Sequence, residues 1–397
     1  MKVLLVHNRY REPGGEEHAI SQLEGLLARS HSVSRFEKRS EDWFGATGWQ
    51  KAKQAIQVPF SRTVYQELRQ CFERVKPDVV HVHNIFPFQT PSVYYAAASK
   101  RIPIVQTLHN FRHFCLNGLL LRDAKPCELC LGGNLMHGIV HRCYQGDRVK
   151  SGLMASTLFS HRILGTWNKV DRFIVLSQFS QRLFEKAGLS SKKCVLLRNA
   201  VSVPPAFNPG PQNLKTAPLI YIGRLSAEKG IKILLEAYKQ ISTFHPAVPL
   251  DVIGDGPLKI EVESFRKNNP SLLLRVHGPL YGEDKDRLLR KAGYLVFPSE
   301  CYENCPYSVL EAFGYGVPVI ASSLGGLPEL VQEGRLGYLF KPGSAEDLVQ
   351  QLRKAYSDEP YWRDMRKQVY DEACQNFEEK KWIQKVEDLY ANVTSTG

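Results

Sequence analysis

Two glutamates eight positions apart, Glu303 and Glu311, stand in a stretch that runs Phe-Pro-Ser-Glu-Cys-Tyr-Glu-Asn-Cys-Pro-Tyr-Ser-Val-Leu-Glu from Phe297. Paired carboxylates suggest acid–base chemistry, but the spacing separates these two. Proline suits a first helical position, so a helix starts near Pro306. Glu311 then lies inside it, on the apolar side with Leu310 and Phe313, and Glu303 lies in the loop before it. A carboxylate on an apolar face needs donors. A ribose diol supplies two, and a neighbouring Lys or Arg is the plainer alternative. Free backbone N–H groups around Asn304–Tyr307 can hold anionic oxygens.

A second constellation is Gly223-Arg-Leu-Ser-Ala-Glu-Lys-Gly230, which follows a β run and opens a helix. Arg224 falls at the strand's C-terminal end, where open α/β sheets bind ligands. Lys229 falls in the first helical turns. The two cations can clamp a diphosphate; a solvated strand-end Arg and a surface Lys are the alternative. A third is Cys115, Cys127, Cys130 and Cys143, a C-x2-C flanked by two further cysteines. That spacing suits a tetrahedral structural zinc, and free thiols in a loop suit it equally. The segment 113–144 around them has little apolar periodicity. Cys71, Cys194 and Cys374 read as packing residues. Cys301 and Cys305 flank the Glu303 loop and are assigned no metal.

The elements that must position these residues alternate between two periods. Strands are predicted at Val3–His7, Asp78–His83, Pro103–Leu108 and Phe173–Leu176. The second half gives Leu219–Ile222, Leu250–Ile253, Leu273–His277, Tyr294–Phe297, Val317–Ala321 and Tyr338–Phe340. Most are unbroken Val/Ile/Leu runs, the mark of strands covered on both faces. Amphipathic helices are predicted at Glu16–Leu27, Gln178–Ala187, Glu228–Ile241 and Ala345–Ala355. The alternation predicts doubly wound α/β domains with parallel sheets. Residues 201–218 contain five prolines and read as a stiff connector. The predicted domains are therefore 1–200, with the cysteine-rich insertion 113–144, and 219–375. A C-terminal helix over 376–397 is expected to return to the first domain.

The 397 residues carry a net charge of +12 and 43% hydrophobic residues. Residues 51–200 hold 22 Lys and Arg against 8 Asp and Glu, so the excess sits in the N-terminal half. Such a field favours an anionic partner such as a lipid surface; a solvated basic face explains it equally. The segment Arg148–Arg172 reads as a basic amphipathic helix, with Met154, Leu158 and Trp167 turned to the core. No apolar run reaches the ~18–20 residues of a membrane span, and the N-terminus reads as a core strand rather than a signal peptide. A cytoplasmic chain is expected, in peripheral contact with the inner membrane face. Nine cysteines, an odd number and mostly scattered, fit a reducing compartment.

Taken in order, Gly223-Arg-Leu-Ser-x-Glu-Lys-Gly, Gly254-Asp-Gly-Pro257, His277-Gly278 and Glu303-x7-Glu311 resemble the family-4, or group 1, glycosyltransferases. The likeness covers nearly the whole chain. It implies the GT-B fold, in which two Rossmann-like domains face a central cleft. It implies a nucleotide-sugar donor, UDP- or GDP-linked, and a saccharide or lipid-linked acceptor in surface polysaccharide or glycolipid synthesis. By the same likeness, Arg224 and Lys229 neutralise the donor diphosphate and Glu311 holds the ribose. Glu303 lies by the transferred sugar, Asn304, Cys305 and Pro306 approach sugar and phosphate, and His277–Leu280 flank the base. Gly15, in Gly14-Gly15-Glu16-Glu17, matches the N-terminal glycine loop, and His109 the family's active-site histidine. Members often carry Asp after that histidine, where this chain has Asn110. The catalytic residues implied are His109, Glu303, Arg224 and Lys229. Retention of configuration is implied as well. The strand-end loops near the site carry no Asp-x-Asp, so transfer without a catalytic metal is expected. A sugar-nucleotide epimerase on the same fold is the main rival. A nucleic-acid-binding protein lacks a motif beyond charge, and a nicotinamide dehydrogenase lacks G-x-G-x-x-G with its ribose acid.

Overall fold

The computed structural model describes residues 1–9, 14–39, 57–245, 247–357 and 359–395. The chain forms two compact units. One holds Met1–Leu120, Cys127–Arg198 and the residues from Lys380 onward; the other holds Leu121–Pro126 and Asn199–Glu379.

The first unit is built on β1 (Lys2–Arg9), β2 (Ser32–Arg39), β3 (Val79–Val82) and β4 (Ile104–Leu108). After a short hairpin that belongs to the other unit, β5 (Leu121–Arg122) and β6 (Lys125–Pro126), the first unit adds β7 (Arg172–Val175) and β8 (Cys194–Leu196). Its six-stranded sheet runs β2-β1-β3-β4-β7-β8, parallel throughout. Val3, Leu4, Leu5 and Val6 are fully buried, as expected of a strand covered on both faces. The helix Gly15–Leu27 covers one face with Ala19, Ile20, Leu23, Leu26 and Leu27. At roughly 1.5–3 kcal/mol for each large aliphatic group buried, this packing fixes where β1 ends and hence where its last residues point.

The second unit repeats the plan with β9 (Leu219–Ile222), β10 (Leu250–Ile253), β11 (Leu274–Gly278), β12 (Tyr294–Phe297), β13 (Val319–Ser322) and β14 (Gly337–Phe340). The order is β11-β10-β9-β12-β13-β14, again parallel. In each sheet the strand order reverses once, between β1 and β3 and between β9 and β12. Open α/β sheets bind ligands beyond the carboxyl ends of the strands at such reversals.

Three expectations need correction. The helix expected over Glu228–Ile241 is a 3-10 turn, Ala227–Lys229, then a helix, Ile231–Ile241, separated by Gly230 at φ +70°. The helix from Arg148 stops at Ile163, and a 3-10 turn, Thr166–Lys169, follows Gly165 at φ +60°. The proline-rich stretch 201–218 packs onto the second unit rather than standing free. Leu214 and Ala217 are buried there, Tyr370 donates to the Pro204 carbonyl, and the Val201 N–H donates to Phe377 O. Proline stiffens this chain but leaves its carbonyls and apolar side chains available for packing. The helix Glu379–Ser395 contributes to the first unit: the Tyr390 hydroxyl meets His81 Nδ1 at 2.5 Å, and Glu387 accepts from Ser30 and pairs with His31.

Candidate functional site

In the second unit, the ends of β9 and β12 carry the residues the sequence singled out. Lys229 Nζ lies 2.5 Å from Glu303 Oε1. Burial, the largest single effect, would lower the lysine pKa, but Glu303, Cys301 and Glu228 together outweigh it and the net shift is upward. Lys229 is therefore held as a cation. The same carboxylate oxygen accepts from Ser299 Oγ at 2.9 Å. Ser299 is in turn fixed by Ser322 Oγ, which donates to its carbonyl at 2.6 Å. Cys301, buried beside this group, has its thiol pushed up to about 12 by burial and then by the Glu303 charge.

Glycines make this closeness possible. A Cβ on Gly230 would run into the Pro298 carbonyl, so only glycine lets the Lys229 turn press against the end of β12. Gly325, at φ +65°, faces the Glu303 backbone, where a Cβ would meet both N and O at 2.7 Å. Gly326 N–H donates to the Glu303 carbonyl at 2.6 Å. Gly254 and Gly256 serve the neighbouring strand end: added Cβ atoms there would strike the carbonyls of Gly223 and Leu225. The Gly-Asp-Gly motif thus lets β10's exit loop pack on the segment carrying Arg224. Arg224 itself is exposed, and its carbonyl accepts from the Tyr221 hydroxyl at 2.7 Å.

Pro306 caps the helix Tyr307–Gly314 from just outside it. Asn304 and Cys305 are buried, and the Cys305 carbonyl accepts from Asn199 Nδ2 at 2.8 Å. Glu311 is paired with Lys285 at 2.7 Å, both side chains mostly covered. Lys285 thus satisfies Glu311 through Oε1. His277 is tied to Asp251 at 2.7 Å, a carboxylate that also binds Arg275, and Leu280 follows it half-buried.

In the first unit, His109 follows β4 and its Nε2 meets His83 Nδ1 at 2.9 Å. Burial holds His109 down at about 3, with His7 adding to the fall; the imidazole is neutral. Gly15 is the first residue of a helix, not part of an open loop; Gly14 N–H is capped by Glu17 Oε2 at 2.9 Å. Asn110 donates to Glu16 at 3.4 Å and accepts from Arg112 N–H.

All four cysteines of the insertion are free thiols. Cys130 is pushed up to about 11 by burial and then by Cys115, with Cys143 and Cys127 also contributing, so the four lie within electrostatic reach of one another. Among the described residues, no group of three or more His, Cys, Asp or Glu side chains is placed to hold a metal ion. The zinc reading thus gains proximity without a coordination geometry.

Sequence reasoning passed over Ser299 and the Gly325–Gly326 turn, signalled only by small residues just past β12 and β13, and Lys285, a charged residue within the helix Gly282–Lys291. It also passed over His7, within the last residues of β1, and His83, just past the end of β3.

Residues 14–203 match the model of Glycosyltransferase Family 4, and residues 205–372 that of Glycosyl transferases group 1. The chain belongs to the family-4, group 1 glycosyltransferases. Among the relatives of this family-4 chain is the N-acetyl-alpha-D-glucosaminyl L-malate synthase of Bacillus anthracis. It is 22% identical over 84% of this chain and 80% of its own length. The sulfoquinovosyl transferase SQD2 of Arabidopsis thaliana is 32% identical over 41% of this chain, which spans 30% of that enzyme. The fold is GT-B. HepE of Anabaena, solved in complex with UDP, superposes with a TM-score of 0.68 at 18% identity, covering 99% of this chain and 100% of that one. The sucrose-phosphate synthase of Thermosynechococcus elongatus gives 0.70 at 18% identity, with both chains fully covered. The epimerase reading gains no support from these likenesses.

Proposed function

We propose that this chain transfers a sugar from a nucleoside-diphosphate sugar to a saccharide or lipid-linked acceptor, with retention and without a catalytic metal. The Lys229–Glu303 pair at the sheet reversal, with Arg224 exposed beside it, carries this reading. As the donor bond breaks, negative charge grows on the departing diphosphate. Fixed cations aimed at that charge give the largest rate term expected of such a site. Arg224 and Lys229 fill that role. Glu303, held by Ser299, is the acid beside the sugar. Asn304, Cys305 and Pro306 form the loop facing sugar and phosphate. Glu311 holds the ribose while sharing its charge with Lys285, and His277 to Leu280 border the base. Gly15 and His109 serve from the first unit. UDP is the favoured nucleotide, because HepE was solved with it; a GDP-sugar is the alternative. A thermal-shift series with UDP-, GDP-, ADP- and dTDP-sugars tests the reading, since a ligand that binds only the folded state raises the midpoint. No shift with any of the four sinks it.

A membrane-facing acceptor is the second part of the proposal. The helix Arg148–Ile163 buries Met154 and Leu158 but exposes Val149, Phe159 and Ile163, with Leu164 after them. Arg148, Lys150 and Arg162 are exposed around these groups. Apolar and basic groups on one exposed surface suit peripheral contact with an anionic bilayer. No helix among the described residues is long and apolar enough to cross a membrane. Flotation with phosphatidylglycerol vesicles should show binding that salt weakens; equal flotation with neutral vesicles counts against it.

A further inference from the structure

At the reversal between β1 and β3 the first unit buries several polar groups that it leaves unsatisfied. His7, at 1% exposure, and His83, at 5%, are buried near those strand ends. Among the described residues, both ring nitrogens of His7, Nε2 of His83 and Oε1 of Glu16 lack a hydrogen-bond partner. The nearest charged contacts are too long to be hydrogen bonds: His7 stands 3.8 Å from Glu16 and 3.6 Å from Glu17. Buried polar groups are rarely left unpaired, and this many together at one strand-end crevice mark a place completed by something else. Glu16 and His83 line one narrow cavity of about 20 Å³, room for a single water-sized group.

The surroundings decide what that group is. His81 and His109 are held down at about 3, and His83 well below its usual range, by burial first and then by their histidine neighbours; Arg35 adds to the effect on His83. All three rings are neutral near pH 7. Glu16 is pushed up to about 8 by burial and then by Glu17, against the opposing pull of Arg112 and of the Asn110 hydrogen bond. A neutral carboxyl donates one hydrogen bond, and a neutral imidazole has one accepting nitrogen. A single hydroxyl, of a water or of a sugar, accepts from the first and donates to the second.

We propose that Glu16 and His83 form a receptor for one hydroxyl of a pyranose, the protonated carboxyl donating to its oxygen and the imidazole accepting its hydrogen. Calling that sugar the acceptor rests on the transferase reading; the receptor itself does not. Glu16 is here a binding group, and no proton is transferred.

The test uses methyl α-D-glucopyranoside, galactopyranoside and mannopyranoside as probes. Binding to the full chain is read by NMR saturation transfer at pH 6.5 and 9.5. At least one probe should bind at pH 6.5 and bind at least tenfold more weakly at pH 9.5. Glu16→Gln keeps a neutral donor, so it should bind equally at both pH values; Glu16→Ala should lose at least tenfold at both. Glu17→Gln removes the like charge that raises Glu16 and should move the wild-type transition to lower pH. Absence of binding by all three probes at pH 6.5 overturns the receptor, and so does wild-type binding independent of pH. Calorimetry with UDP-glucose on the same samples keeps the two readings apart: a chain that binds glycoside but no nucleotide sugar contradicts the transferase, not the receptor.

Discussion

Lys229 and Glu303, 74 positions apart, meet at 2.5 Å between the ends of β9 and β12. The glycine after the lysine and the glycine that packs on the glutamate backbone hold them there. Their pairing resolves a conflict between two demands. A donor site needs a lysine close to where phosphate charge develops, and a covered lysine needs a counter-charge while no donor is bound.

Breaking this pair should separate stability from function. Lys229→Met leaves Glu303 covered and unpaired, with a loss on the order of 2 kcal/mol. Adding Glu303→Leu removes the stranded charge and should restore much of that stability. Donor binding should stay lost in both variants. Urea unfolding of the single and double variants, beside calorimetry with the nucleotide sugar, measures the two effects; a double variant no more stable than Lys229→Met refutes the pairing argument.

Arg224 presents the opposite profile. Its side chain is exposed at a strand end, so Arg224→Ala should leave the melting temperature within about 1 °C, as surface changes within ±0.5 kcal/mol do. Its loss should lower kcat by about 100- to 1,000-fold if it faces the charge of the leaving diphosphate. Near-normal turnover would remove Arg224 from the site.

How much of this was legible in the sequence depends on burial. Leu219–Ile222, Leu250–Ile253 and Tyr294–Phe297 match the observed strands residue for residue because they are core strands, apolar apart from Asp251. The edge strand Ser32–Arg39 went unseen. It is half-exposed along its length, so its polar residues carry no burial signal; β8, with only three residues, is too short to show a pattern. At the site, Arg224, Lys229 and Glu303 were readable because charged residues at strand ends are chemically conspicuous. The partners that aim them were not: Ser299, Ser322 and Lys285 are ordinary residues whose roles arise only when the sheet brings distant segments together. Helix periodicity carried through Gly230 and hid the turn that places Lys229, because the break there is steric.

Gly325 yields a prediction that composition alone would not. Alanine at this left-handed position carries a steric cost of roughly 1–2 kcal/mol, and its Cβ would press on the Glu303 N and O. Gly325→Ala should therefore lower the stability by about that amount and weaken donor binding at least tenfold. Gly343→Ala is the control: φ is also positive, at +78°, but the nearest atom to an added Cβ is a side-chain oxygen at 4.0 Å. It should share the strain cost without the binding loss. Equal donor affinities in the two variants would show that Glu303's backbone position does not matter.

The cysteines of the insertion should behave as thiols. With Cys130 pushed up to about 11, alkylation by iodoacetamide at that position should be slow at pH 7 and rise with pH, because the thiolate is the nucleophile. Mass spectrometry of digests after timed labelling gives the rate. One zinc per chain in the purified protein, with loss of fold on adding chelator, would restore the metal reading.

The buried histidines set the acid limit of the first unit. His81 and His109 are held at about 3 in the fold against about 6.5 when unfolded. A depressed folded pKa means that the unfolded chain binds more protons between those values, so stability rises with pH there. Their stabilisation is complete above about pH 6.5 and declines as pH falls from there toward 3. His83, shifted the same way, steepens the loss. The first unit should therefore open on mild acidification before most carboxylates protonate. Hydrogen exchange read peptide by peptide from pH 7 to 4 should show protection falling first in β1, β3 and β4. Replacing His81 with Gln, which keeps side-chain donor and acceptor groups without titrating, should move that loss to lower pH. Simultaneous loss of protection in β9 and β12, with no response to the His81 change, would show that these rings do not govern the acid transition.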